Sequence, residues 1–319
     1  MLLGRFDIKT DHVYNKQMRL IISLLIGFCL ALEGREPPLG MWVWKQIHLE
    51  SAEACGELLD FCEREEITHI DQHVSIKKGI LLNAEALRNF IIKAADRGIT
   101  VNALRGDKAM FFARNHERTM AAVKTIVALN ETLPDGKKLL GIKFDVEPYG
   151  SEEWKAGGVQ RRQVMRDYLS YLNLVNDYLS MAAPEMELAV DVPFWWDKTE
   201  FQIVFDGQKK LFVEHVQDRV DWLGIMSYRR DPSEIVKLIA TELSYASNFG
   251  HLRSVAPSME TGNISGKEAY ISFGGVPVKQ FRSSLNSLRN TYANNPYVRC
   301  IMLHHYDSLR VYLDATFSQ

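Results

Sequence analysis

From Leu39 onward the chain alternates strand and helix patterns eight times. The strand candidates are short apolar runs with a polar residue near the C-terminal end. They are Gly40–Gln46, Thr68–Ser75, Ile99–Arg105, Leu140–Glu147, Glu187–Phe194, Val220–Tyr228, Val255–Glu260 and Cys300–Tyr306. Helical spacing fills the gaps at Ala52–Arg64, Asn83–Arg97 (opened by an Asn cap), Glu117–Leu133, Gln163–Met181, Pro232–Phe249 and Val278–Tyr292. Eight strands connected in this way over about 280 residues have the rhythm of a single-domain (β/α)8 TIM barrel spanning residues 36–319. A doubly wound open sheet is the alternative. Against it, no GxGxxG follows the first strand and no P-loop occurs.

Composition narrows the class. With 46% hydrophobic and 24% charged residues the chain is neither disordered nor a multi-span membrane protein. A net charge of −2 leaves no basic footprint for nucleic acid. Four cysteines are too few for a disulfide scaffold, and no CxxC occurs. Cys55 and Cys62 share one helix pattern, two turns apart, and read as buried fillers.

Residues 1–35 differ from the rest. Leu20–Leu32 is an apolar run behind Lys16 and Arg19 and ahead of Glu33. A basic flank and a short apolar core form an export signal over residues 18–33, with Met18 as an alternative start. The run is too short to span a membrane. The expectation is a secreted or periplasmic protein with no membrane span after signal removal.

In a barrel the chemistry sits at the C-terminal ends of the strands. Those ends offer Trp42, Trp44 and Lys45; Asp71 and His73; Arg105 and Asp107; Asp145 and Glu147; Asp191, Trp195 and Trp196; Tyr228; Glu260; and His304, His305 and Asp307. Trp42 and Trp44 share one face, whereas adjacent Trp195 and Trp196 cannot both face inward. The segment Pro148–Arg161, with Trp154 and Gly157–Gly158, is long enough to cover the site as a lid.

Strand four reads Gly141-Ile142-Lys143-Phe144-Asp145-Val146-Glu147-Pro148. Period-two alternation sends Ile142, Phe144 and Val146 to the helix layer, and Lys143, Asp145 and Glu147 into the barrel. Charged groups there must be paired or solvated. A plain Lys143–Asp145 ion pair would leave Glu147 unexplained at the rim. The functional reading makes Glu147 a proton donor tuned by Asp145, since a nearby like charge raises a carboxyl pKa.

Leu-Gly-Ile-Lys-Phe-Asp-Val-Glu at 140–147 resembles the strand-four signature of glycoside hydrolase family 18, the chitinase-like barrels, which ends in Asp-x-Glu. Val220–Tyr228 resembles that family's strand six, which ends in Met-x-Tyr. The resemblance implies that Glu147 protonates the leaving oxygen. It also implies that Asp145 and Tyr228 steady a substrate acetamido group acting as internal nucleophile. The chain departs from the family at Leu140 and Lys143, where the signature has Asp, and at His304-His305-Tyr306-Asp307, where a Trp often underlies the sugar. Trp42-Val43-Trp44, Glu260-Thr261 and His305-Tyr306-Asp307-Ser308 resemble a divergent secreted branch of such barrels.

The expected partner is a carbohydrate, bound through Trp44, Asp71, His73, Arg105, Asp191, Trp195, His304, His305 and Asp307, with no cofactor and no metal. Three alternatives compete. In a clan-A retaining glycosidase Glu260 is the nucleophile, its carboxyl about 5–5.5 Å from that of Glu147. In a metal-dependent amidohydrolase-like barrel His69, Asp71 and His73 join His304 or His305 and Asp145 as ligands. In a sugar-binding barrel there is no catalysis.

Overall fold

A computed structural model describes residues 36–314. The expected export segment over residues 18–33 lies outside the described residues. Eight parallel strands close into a barrel: β1 (Leu39–Val43), β2 (Ile67–His73), β3 (Thr100–Arg105), β4 (Gly141–Asp145), β5 (Glu187–Pro193), β6 (Trp222–Met226), β7 (Val255–Glu260) and β8 (Ile301–His304). Their order around the barrel follows the chain, and β1 closes onto β8. Every expected strand is present, with no end moved by more than three residues. The open-sheet alternative is excluded by the closure.

The principal helices are α1 (Ala52–Arg64), α2 (Ala84–Asp96), α3 (His116–Glu131), α4 (Gly158–Ala182), α5 (Phe212–Gln217), α6 (Pro232–Leu238), α7 (Ala240–Phe249), α8 (Val278–Thr291) and α9 (Tyr306–Asp314). Helix α1 shows how the sequence sets them. Ser51 Oγ accepts from Ala54 N at 3.2 Å and caps the first turn. Cys55, Leu58, Leu59, Phe61 and Cys62 then form the buried stripe, and both thiols are free.

Three local expectations change. Asn83 opens α2 in the left-handed region (φ 55°), and its side chain makes no cap bond. The single helix expected over Pro232–Phe249 is two helices, because Ile239 leaves helical geometry (φ −112°, ψ 8°) and is fully buried. The segment after β4 is anchored rather than lid-like. Ser151 caps a one-turn helix (Glu152–Lys155), and Trp154 is buried against Trp196 and Phe201 at ring separations of 5.9 and 5.7 Å.

Between β5 and β6 a two-stranded ribbon pairs Gln202–Phe205 with Gln208–Leu211. Asp206 and Gly207, both at positive φ, make its turn. The main core lies between the barrel and the helices. A second buried cluster fills the lumen: Trp42, Leu104, Ala189, Trp222, Ala256, Cys300 and Met302. Among the described residues no helix is long and apolar enough to cross a membrane.

Outside the lumen, α7 buries Glu242 completely. Its carboxylate oxygens find no partner beyond its own backbone amide, and burial pushes its pKa from 4.5 up to about 8, with Asp197 adding to the rise. Because the folded chain holds this proton more tightly than the unfolded one, stability falls as pH rises from about 4.5 to about 8. Glu242→Gln should therefore match the wild type near pH 4 and exceed it by a few kcal/mol (~2–5) at pH 8. Urea unfolding at pH 4, 6 and 8 checks this, and parallel curves at all three would refute it.

Candidate active site

The lumen is organised by one buried cation. Lys143, fully buried on β4, lies 2.6 Å from Asp71 Oδ2 on β2 and 2.9 Å from Asp191 Oδ1 on β5. Its ammonium sits 4.5 Å from the Trp42 ring centre and 4.3 Å from that of Trp222. The other carboxylate oxygens are held as well. Asp71 Oδ1 accepts from Asn102 Nδ2 at 3.1 Å and meets His69 Nε2 at 2.9 Å. Asp191 Oδ2 accepts from Trp42 Nε1 at 2.9 Å. Lys143 does not simply pair with Asp145. It bridges two acids across the lumen.

Close approach across the lumen requires a missing side chain. A Cβ at Gly224 on β6 would fall 2.0 Å from Asp191 Oδ1 and 3.0 Å from Lys143 Nζ. The sequence therefore needs glycine there for the cluster to form.

These groups shift one another's protonation. Burial alone would raise the Asp71 pKa, but Lys143 and His69 outweigh it and hold the carboxyl well below the usual range. Burial raises Asp191 to about 6 despite Lys143. Lys143 keeps its proton because Asp191 and Asp71 outweigh the cost of its burial.

Asp145 sits above this layer with the same inward parity. Burial, then Asp191 and Glu147, push its pKa well above the carboxylate range, and Lys143 offsets this only in part. Its Oδ1 is buried without a hydrogen-bond partner. These surroundings favour the protonated form of Asp145. On this strand the surroundings push up the Asp145 carboxyl. Glu147 lies two residues on, past the end of β4, and is exposed. The Tyr149 phenol hydrogen-bonds Glu147, and burial together with that carboxylate raises the phenol's pKa. The Tyr149 ring packs 5.3 Å from that of Trp195.

Across the barrel lies a second constellation. Glu260, at the end of β7, is buried; its Oε2 is 2.5 Å from His304 Nδ1 and its Oε1 accepts from Gly262 N at 2.5 Å. Burial would raise its pKa, but His304 and the Gly262 amide outweigh that and lower it. Trp44 Nε1 donates to His304 Nε2 at 3.4 Å. The Tyr228 ring is 5.7 Å from the His304 ring. Burial raises the Tyr228 pKa strongly, and Asp145 and Glu260 both add to it.

Asp145, Glu147, Tyr228, Glu260, Trp44 and His304 thus gather at the mouth. Asp71 and Asp191 lie beneath, wholly engaged with Lys143. His73 stays at the rim beside Trp44, at a ring separation of 5.9 Å. His305 packs 4.9 Å from His304, and burial lowers its pKa. Asp307 turns toward Lys45, 3.1 Å away. Arg105 does not enter the lumen. Leu104 beside it belongs to the lumen cluster, so Arg105 has outward parity, and its Nη1 donates to Val74 O at 2.9 Å. Of the tryptophan pair, Trp196 is fully buried and Trp195 is partly exposed.

Asn102 and Tyr149 were missed from the sequence. Period-two parity around Leu104 selects Asn102, and Tyr149 lies two residues beyond Glu147 in the single turn Pro148–Gly150. The strand-two metal set is not assembled either. His69 spends Nδ1 on Thr100 Oγ1 (2.9 Å) and Nε2 on Asp71. Among the described residues no group of three or more His, Cys, Asp or Glu is arranged to hold a metal ion.

The molecule is therefore a (β/α)8 barrel whose polar side chains converge at the C-terminal mouth. No family model and no curated protein matches the chain. Solved structures do resemble it. The spore cortex-lytic enzyme SleL of Bacillus cereus has a TM-score of 0.53 at 11% identity, covering 86% of this chain and 72% of that one. The chitinase ChiC of Aspergillus fumigatus has a TM-score of 0.52 at 12% identity, covering 88% and 99%. The intracellular xylanase TsXylA of Thermoanaerobacterium saccharolyticum has a TM-score of 0.53 at 10% identity, covering 85% and 86%. The chain shares the fold of chitinase-like barrels, and at these identities the likeness is one of fold.

Proposed function

We propose that this protein is a glycoside hydrolase acting on an oligo- or polysaccharide, with Glu147 as general acid. The observation that carries this reading is the placing of an exposed carboxyl, Glu147, two residues beyond a half-buried one, Asp145, whose Oδ1 is buried without a hydrogen-bond partner and which stands on the same strand face as Lys143. An acid at the mouth protonates the leaving oxygen. Asp145, with its unpartnered oxygen, and the Tyr228 phenol hydrogen-bond the sugar and hold it in place. Partly exposed Trp44 and Trp195 offer ring faces for stacking. The fold likeness to two enzymes described as a chitinase and a xylanase supports the same substrate class.

Glu260 as nucleophile is the weaker reading. Both of its oxygens are taken up by His304 and Gly262, which favours an orienting role.

The test is incubation of the purified protein with chito-oligosaccharides and xylo-oligosaccharides of two to six units, with and without a chelator. The expected result is hydrolysis of one series, unaffected by the chelator. Binding without hydrolysis would favour the non-catalytic barrel. Activity lost to the chelator together with stoichiometric zinc or manganese would favour the metal hydrolase.

A further inference from the structure

One indole lies across the floor of the mouth. Trp44, one residue past β1, is half-buried and packs on the lumen cluster. Its ring reaches from β8 to the edge between β3 and β4. At one end Nε1 donates to His304 Nε2 at 3.4 Å. At the other end lies Gly106, one residue past β3. A Cβ there would fall 3.5 Å from Trp44 Cη2 and 2.6 Å from the Asp145 carbonyl oxygen. The benzo edge of the indole and the end of the acid-bearing strand therefore flank the same glycine, which leaves room for both. His73 stands beside the ring at a separation of 5.9 Å.

A chain of hydrogen bonds anchored on a carboxylate holds this indole. Glu260 meets two donors, one at each oxygen: Gly262 N at Oε1 and His304 Nδ1 at Oε2, both at 2.5 Å. Two donors require two acceptor oxygens, which a carboxylate has and an amide lacks. A carboxylate accepts, so Nδ1 bears the proton and Nε2 keeps the lone pair that takes the Trp44 N–H. The imidazole is boxed in as well. The rings of Trp42, Tyr228 and His305 pack around it at 5.5, 5.7 and 4.9 Å.

We infer that Trp44 is the platform for the sugar ring that Asp145 and Tyr228 hold, and that Glu260 and His304 are positioning residues that fix this platform across the mouth. The inference rests on the glycosidase reading above. The indole takes the apolar face of a pyranose whose hydroxyls are equatorial, the geometry that xylo- and chito-oligosaccharides share. Glu260 then forms no bond to the sugar. Its charge serves the tautomer of His304, and that tautomer serves the indole.

The experiment measures affinity and initial rates on whichever of the chito- or xylo-oligosaccharides the wild type cleaves. Trp44→Ala should weaken binding about 10- to 100-fold, the worth of one large apolar contact, and Trp44→Phe should recover part of it. Glu260→Gln should weaken binding in the same direction, with the loss carried by KM more than by kcat. In a Trp44→Ala background Glu260→Gln should add little, because both act through one group. The nitrogen-15 signal of the Trp44 indole, assigned by its absence from Trp44→Phe, should move in Glu260→Gln without sugar, and in the wild type when sugar is added.

Unchanged affinity and KM in Trp44→Ala, or a wild-type indole signal that stays put at saturating oligosaccharide, overturns the inference and leaves the glycosidase reading standing. A loss of kcat in Glu260→Gln that persists undiminished in the Trp44→Ala background overturns the positioning role and makes Glu260 a reacting group. No cleavage of either series by the wild type overturns the reading and the inference together.

Discussion

Lys143→Met should destabilise the fold by about 3–5 kcal/mol at neutral pH, the usual cost of removing one partner from a buried charge network. The side chain is fully buried, and its loss leaves the Asp71 and Asp191 carboxyls inside the barrel without their shared cation. The pH dependence carries the signature. In the wild type the Asp71 pKa is lowered below 3.8 on folding, so its contribution to stability is present above that value and lost as pH falls through the folded pKa. Without Lys143 the largest remaining influence on Asp71 is burial, which raises its pKa. The variant's stability then falls as pH rises above about 4. The gap between the two proteins should therefore widen with pH: narrowest in acid below the folded Asp71 pKa, already open at pH 4, and widest at pH 7 and above. Urea unfolding across that range measures it. Adding Asp71→Asn and Asp191→Asn to Lys143→Met should recover part of the loss, since replacing a whole buried ion group is far cheaper than breaking it. A gap that stays constant with pH would mean that Lys143 acts through packing against Trp42 and Trp222 alone.

Glu147→Gln should lose about 10²–10⁴-fold in turnover while unfolding with an unchanged midpoint. Its exposure at the end of β4 is the reason for the second half of that expectation: the amide replaces a solvated carboxylate and leaves the lumen untouched. The first half follows from its position two residues beyond Asp145 at the strand end and from its hydrogen bond with the Tyr149 phenol. Initial rates and oligosaccharide affinity, measured in parallel, separate the two. Loss of turnover with affinity kept identifies the acid. Full activity would move the acid elsewhere on the rim, and Asp145 is then the first residue to substitute.

The barrel was legible because its signal is local and repeated. Each strand is an apolar run that period-two alternation divides into a lumen face and a helix face, and eight such runs with helical spacing between them leave few architectures. The same alternation placed Ile142, Phe144 and Val146 outside and Lys143 and Asp145 inside, as the structure has them. The ribbon before α5 was passed over in the sequence, although its Asp206-Gly207 turn is of the hairpin type. Arg105 shows the limit of reading strand ends by residue type: parity, not polarity, decides which side chain enters the lumen.

Pairing across the barrel was not legible. Lys143, Asp71 and Asp191 lie on β4, β2 and β5, and His304, Glu260 and Trp44 on or beside β8, β7 and β1. Which of several inward acids meets the one inward cation depends on strand stagger and on the space left by Gly224. Neither is encoded within any one segment. The protonation states follow from that choice: by taking Asp71 and Asp191, Lys143 leaves Asp145 to be raised by burial and by its acidic neighbours. Local periodicity thus determined the elements, their order and which residues face inward, because those depend on neighbours a few positions away. The tertiary structure alone decided which inward charges pair and which carboxyl is pushed toward its protonated form, because Coulomb and desolvation energies depend on distances between strands far apart in the chain.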